Sequence, residues 1–259
     1  APMEFPSATL QATTEDTYTT FRDYALHENE AKSLCSYGRV LVDDYDYSHG
    51  RKMNYKIPVA GVVENSPATI DLSFATNGIE MSRVAISVGG ENLGSLTVSR
   101  AVSTELGKIS SGKFNVNALG GDNPVVSLTH SVSNNSVNGF LDFIRLNYMR
   151  RLALYGSQTQ FRGDMLSGNA LFKIEGANAD TRVWSVGGTT GIKELEGSLE
   201  GSVYSVVAPA DRDENMVVFN VKGSFPSVKV IGDVTNQNLH ALGQTDMVII
   251  VPSIGAFII

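Results

Sequence analysis

Residues 139–155 read Gly139-Phe140-Leu141-Asp142-Phe143-Ile144-Arg145-Leu146-Asn147-Tyr148-Met149-Arg150-Arg151-Leu152-Ala153-Leu154-Tyr155. Phe140, Ile144, Leu146 and Tyr148 share one face of an extended strand, which is therefore almost wholly apolar. The opposite face opens with Leu141 and Phe143 and turns polar at Arg145 and Asn147. This is the pattern of a long strand covered on both faces at one end and on one face at the other. Asp142 interrupts the apolar face. A carboxylate there needs a partner or a route to water, because a buried unpaired charge is costly. Arg145, Arg150 and Arg151 are its candidate partners. No nucleophile or base is recognisable beside Asp142 in sequence, so a central strand of a β-sandwich core is expected rather than a catalytic acid.

Upstream, the same two-residue period recurs. Ile70, Leu72 and Phe74 alternate with Thr69, Asp71 and Ser73, and Val84, Ile86 and Val88 repeat the device. Gly89-Gly90-Glu91-Asn92 reads as a hairpin turn, with Leu93 to Val98 returning. Phe114 and Val116 precede a turn at Gly120-Gly121-Asp122-Asn123-Pro124, and Val126 and Leu128 alternate with Ser127 and Thr129. Tyr18 to Leu26 can form a strand, residues 1–14 an extended lead-in, and residues 27–34 a polar connection with room for a helical turn or two. Short strands between turn signals, with almost no helical period, indicate a mainly β protein built on a β-sandwich or jelly roll.

Downstream, shorter strands are expected at Ala170 to Glu175, Thr181 to Val186, Gly191 to Glu196, Ser202 to Ala208 and Asn215 to Lys222, with a charged turn at 209–215. The text changes once more near the end. Asn236 to Leu242 has short helical spacing, and Asp246-Met247-Val248-Ile249-Ile250-Val251 is a continuous apolar run of the kind found in a strand covered on both faces. The expected organisation is a jelly-roll-like β-sandwich over residues 1–156, a smaller β unit over 157–232 packed on it, and the start of an α/β domain over 233–259. The apolar ending Phe257-Ile258-Ile259 reads as a cut through a longer protein, or as an end packed against something.

The 259 residues carry a net charge of -7 and are 42% hydrophobic, which fits a folded chain and argues against a general nucleic-acid binder. No apolar run reaches the ~18 residues of a membrane span. The single cysteine, Cys35, excludes an intrachain disulfide and a cysteine-cluster metal site, and its surroundings carry no catalytic signature. His27, His49, His130 and His240 have no ligand spacing. Asp43, Asp44 and Asp46 place three carboxylates together, as Ca²⁺ would require, but without the spacing of a calcium loop, so an exposed acidic loop is expected. Tyr45, Tyr47 and Tyr55 could form an aromatic sugar-binding surface, which makes a carbohydrate-binding or adhesin-like jelly roll the alternative reading. Asn134-Asn135-Ser136 fits a glycosylation sequon. Glycine-bearing stretches such as 88–94 sit between strands and do not form a phosphate loop. No catalytic, cofactor or metal site is assigned.

Several stretches nevertheless resemble one family. Glu28 to Arg39, Phe140 to Tyr148 with Arg150-Arg151 and Tyr155-Gly156, Thr181-Arg182-Val183-Trp184-Ser185-Val186, and Val234 to Leu242 with Asp246-Met247-Val248-Ile249-Ile250 together look like PorU-type sortases of type IX secretion, gingipain-like cysteine peptidases. The resemblance covers roughly residues 15 to 253. Arg145, Ser185 and the Gly187-Gly188 pair depart from the family pattern. The resemblance implies a non-catalytic β-sandwich region followed by the first strand of a caspase-like domain. It also implies a parent at the cell surface, associated with the outer membrane, that removes C-terminal secretion signals from cargo and attaches the cargo to lipopolysaccharide. Its partners would be the secretion and attachment machinery and the cargo signal domains. The family's Cys/His dyad has no counterpart here: Cys35 lies in the β region and His240 lies too early. Asp142 then reads as a pattern residue paired with an arginine.

Overall fold

The computed structural model describes residues 6–34, 40–48, 51–102, 105–133, 137–187 and 191–233. Among them the regular structure is all strand. In chain order the strands are β1 (Ser7–Ala8), β2 (Thr17–Tyr18), β3 (Thr20–Glu28), β4 (Lys32–Ser33), β5 (Leu41–Val42), β6 (Lys52–Lys56), β7 (Ala68–Asn77), β8 (Ser82–Val88), β9 (Glu91–Val98), β10 (Lys108–Val116), β11 (Val125–Val132) and β12 (Asn138–Arg151). After them come β13 (Gln158–Phe161), β14 (Asn169–Ile174), β15 (Thr181–Ser185), β16 (Lys193–Leu195), β17 (Gly197–Glu200), β18 (Val203–Pro209) and β19 (Met216–Asn220).

The first sandwich packs the sheet β10-β7-β12-β3 on the sheet β6-β11-β8-β9. Ile70, Leu72 and Phe74 from β7 meet Val84, Ile86 and Val88 from β8 and Val126 and Leu128 from β11 in one core. These are the alternating positions read from the sequence. The β8–β9 hairpin turns at Gly89 and Gly90, whose φ angles of 57° and 92° suit glycine and strain other residues.

Strand β12 differs from its sequence reading in phase. Its pairing with β7 slips between Leu141 and Phe143, so Asp142 is the extra residue of a β-bulge. The bulge moves the inward face from odd to even positions. Leu141 therefore shares the main core with Ile144, Leu146 and Tyr148, whereas Phe140 joins Val42 and Ala75 in a small cluster on the other side. A simple alternation placed Phe140 with Ile144, and the inserted residue is the reason that it fails. The cover over Phe140 comes from β4 and β5, which pair with each other where a helical turn was allowed for. The Asp43 N–H donates to the Leu141 carbonyl at 2.8 Å, which ties this flap to β12.

The second sandwich packs the sheet β1-β16-β15-β19-β13 on the sheet β17-β18-β14-β2. Phe161, Phe172, Val183, Leu195, Val206, Met216 and Val218 fill its core. The extended lead-in expected over residues 1–14 joins this sandwich through Ser7–Ala8. β1 pairs parallel with β16, and β2 pairs parallel with β14. The β3–β12 ladder passes from one core to the other: Leu146 and Tyr148 lie in the first, while Phe21 and Leu152 lie in the second. Chain contacts group residues 1–224 into one unit and 225–259 into another. In the second unit, Phe225 to Asp233 carry no strand, and Val228, Val230 and Ile231 are exposed. The helical spacing and apolar run expected over 236–251 lie outside the described residues.

Candidate functional site

Two of the three arginines proposed for Asp142, Arg145 and Arg150, are engaged elsewhere. Arg145 donates from Nε and Nη2 to Asp71 Oδ2 at 3.0 and 2.8 Å, on the outer face of the first sandwich. Arg150 donates from Nη1 to Asp23 Oδ2 at 2.7 Å. Asp142 is half-buried and joins no ion pair among the described residues. The expected pairing is thus corrected. The bulge places Asp142 out of step with Arg145, and Asp71, directly across the ladder from Arg145, takes the guanidinium instead.

The acidic and tyrosine cluster is also structural. Asp43 is buried, and its Oδ1 accepts from Asn29 Nδ2 at 3.1 Å and from the Tyr45 N–H at 3.3 Å. Among the described residues no group of three His, Cys, Asp or Glu side chains converges as a metal site would. Tyr47 is 0% and Tyr55 7% exposed, and their hydroxyls hydrogen-bond to each other inside the sandwich. Burial drives both phenols far above the usual tyrosine range. The aromatic sugar-binding surface expected of Tyr45, Tyr47 and Tyr55 is therefore not formed, because two of the three rings point into the core. His27 packs 4.7 Å from the Tyr55 ring, and buried His130 stacks 5.7 Å from Phe74. Cys35, His49, His240 and the Asn134-Asn135-Ser136 sequon lie outside the described residues.

What the sequence did not reveal is a cleft of about 570 Å³ where β3 and β13 face each other. It is lined by Phe21, Arg22, Asp23 and Tyr24 from β3, by Arg150 from β12, by Gln158 to Phe161 from β13, and by Arg162 and Asn215. Both β3 and β13 are edge strands, each with one paired neighbour. Asp23 is held by Arg150, whose guanidinium also lies 4.1 Å from the Tyr155 ring centroid. Arg22 and Arg162 are exposed and join no ion pair among the described residues. Two adjoining depressions share Arg22 and Arg162. In one of them Tyr18 donates to Asp164 at 2.6 Å, and burial together with that carboxylate pushes the phenol up to about 12. The cleft residues come from four separate segments, so no local motif could have announced them.

No protein-family model matches the chain, and no curated protein matches it. Solved structures do. The crystal structure of dimeric latent PorU from Porphyromonas gingivalis superposes with a TM-score of 0.72 at 20% identity, over 93% of this chain and 24% of that one. The fold is shared with PorU. The chain spans about a quarter of PorU's length, so the likeness concerns one region of that protein. Two carbohydrate-binding modules overlap far less well. The CBM36-1 domain of a multidomain xylanase from the hindgut metagenome of Trinervitermes trinervoides gives a TM-score of 0.31 at 15% identity, over 48% of this chain and 95% of the module. A family 35 module from Clostridium thermocellum gives 0.31 at 12%, over 49% and 90%.

Proposed function

We propose that this chain is the non-catalytic β-sandwich region of a PorU-like sortase, a cell-surface cysteine peptidase of type IX secretion associated with the outer membrane. The observation that carries the reading is the PorU fold over 93% of the chain, joined to the sequence segments that resemble the same family. In this reading the jelly-roll-like sandwich of residues 1–156 cedes Ser7 to Tyr18 to the smaller unit of 157–232, and 233–259 is the start of a gingipain-like α/β domain. The two sandwiches brace the peptidase domain and offer surface to the secretion machinery and to cargo signal domains. The parent removes C-terminal signals from cargo and joins the cargo to lipopolysaccharide through a thioester acyl-enzyme: a thiolate attacks the scissile carbonyl, the signal leaves with its amine protonated, and an amine of the acceptor displaces the thiol.

The test compares this chain with its parent on a cargo bearing a C-terminal signal. The parent should cleave, through a His and a Cys encoded beyond Ile259, and residues 1–259 should not. Turnover by residues 1–259 that Cys35→Ser abolishes would overturn the reading, as would a parent gene with no peptidase domain after this region.

A further inference from the structure

We propose that the cleft between β3 and β13 binds an extended, acidic peptide segment of a partner protein. The inference stands apart from the parent's peptidase activity, because it rests on this region's own edges and charges.

Two strand edges face the cleft, and among the described residues neither is covered by a further strand. Such edges carry unpaired N–H and C=O groups that an added strand can satisfy. The Tyr24 N–H is already taken by Asp23 Oδ1 at 2.8 Å, so the β3 edge is capped at one point. Gln158, Gln160 and Asn215 add side-chain amides, which suit the polar backbone of an extended chain.

Charge selects the occupant. The cleft is lined by Arg22, Arg150 and Arg162 against the single carboxylate of Asp23. Asp23 and Arg150 neutralise each other, which leaves Arg22 and Arg162 as the charges of this cleft; the adjoining depressions beyond them hold Asp16, Asp164 and Asp213 with Arg212. A guanidinium binds a carboxylate through paired, charge-assisted hydrogen bonds. The half-exposed Tyr24 ring offers an apolar contact at the rim. Alternate side chains of an added strand point to opposite sides, so an acid at every second position would present carboxylates to Arg22 and Arg162 in turn.

The experiment uses the full chain and a short fluorescein-labelled peptide of alternating valine and glutamate. Fluorescence anisotropy should show saturable, salt-sensitive binding. Arg22→Gln or Arg162→Gln should each weaken it by about tenfold, as losing one charge-assisted contact does. The same peptide with glutamine for glutamate should bind at least as weakly. Hydrogen exchange on the unaltered chain should show new protection of amides within 20–28 and 158–161 when the peptide is bound, a readout that needs no variant to fold. Unchanged affinity in both arginine variants, or protection confined to other segments, would overturn the proposal. So would heparin or inorganic phosphate displacing the peptide at matching affinity, which would mark a general anion site.

Discussion

Arg150 Nη1 lies 2.7 Å from Asp23 Oδ2, a diagonal contact across the β3–β12 ladder, with both side chains mostly shielded from water. The contact sits where the ladder leaves the first core at Tyr148 and enters the second at Phe21 and Leu152. Arg150 also covers the Tyr155 ring, and the Tyr155 hydroxyl donates to the Arg151 carbonyl at 3.1 Å. One guanidinium thus ties the end of β12 to β3 and to the segment that follows it. Arg150→Met should lower stability by about 1.5–3 kcal/mol in urea unfolding, because Asp23 loses the charge-assisted hydrogen bond that Arg150 donates. Adding Asp23→Asn should recover part of that loss. Strict additivity of the two changes would show that the pair is uncoupled.

The bulge at Asp142 separates the effect of its side chain from that of its presence in the strand. Asp142→Ala should shift stability by no more than about 0.5 kcal/mol, since the side chain joins no ion pair among the described residues. Deleting Asp142 should leave the first sandwich folded, because Leu141 keeps Phe74 and Phe143 keeps Ser73 as cross-strand partners without the extra residue. A β12 that kept Asp142 in regular pairing would instead turn Leu141 out of the core and drive Phe140 into it. Leu141→Ala, by comparison, should cost about 2–5 kcal/mol as a cavity change. Thermal melts of the three variants rank these costs, and a deletion variant less stable than Leu141→Ala would rule out the phase argument.

How much of this was legible in the sequence differs from strand to strand. Ile70, Leu72 and Phe74 announced their face because β7 is regular and its period of two survives intact. The β8–β9 turn was legible because two glycines carry the positive φ that a two-residue hairpin needs. Phe140 was not, because a bulge is one residue of pairing geometry and leaves no mark in composition. The Asp71–Arg145 pair was missed for a related reason: a cross-strand partner is set by register, and register is fixed by two strands together. The same holds for β1 and β2, whose short pairings with β16 and β14 join chain ends far apart. Tyr47 and Tyr55 look like surface aromatics until each is seen to satisfy the other's hydroxyl, which lets both be buried.

Alkaline titration should show those tyrosines directly. Burial raises Tyr47 and Tyr55 well above the ordinary range, and burial with the Asp23 charge lifts Tyr148 to about 12. A raised phenol pKa means that the folded state favours the neutral form. The stability gained is whole below the unfolded value near ~10 and is lost as pH climbs from there toward 12 and beyond. Phenolate absorbance should therefore rise in two stages: exposed rings first, then buried ones together with loss of the fold. Tyr47→Phe should weaken the fold at neutral pH by about 1–2 kcal/mol, because the Tyr55 hydroxyl is left buried without its partner. A single smooth titration near 10, with the fold intact, would contradict the burial of both rings.

The Asp71–Arg145 pair governs the acid side. Burial alone would raise the Asp71 carboxyl, but hydrogen bonds from Arg145 and Asn147, with the charges of Arg145 and Lys113, more than offset it and hold the group below its ordinary value. A depressed carboxyl contributes stability that is fully present above the unfolded value near ~3.9 and disappears as pH falls through the lower folded one. Arg145 is about half exposed, so screening limits the pair to about 1 kcal/mol or less. Arg145→Gln should thus lower stability slightly at neutral pH and in low salt. The gap from the unaltered chain should close as pH drops below the ordinary carboxylate range, and high salt should shrink it. Urea unfolding from neutral to strongly acidic pH reads this out. A gap that stayed constant through the acid range would mean that Arg145 stabilises β12 by packing its stem and not through the Asp71 carboxylate.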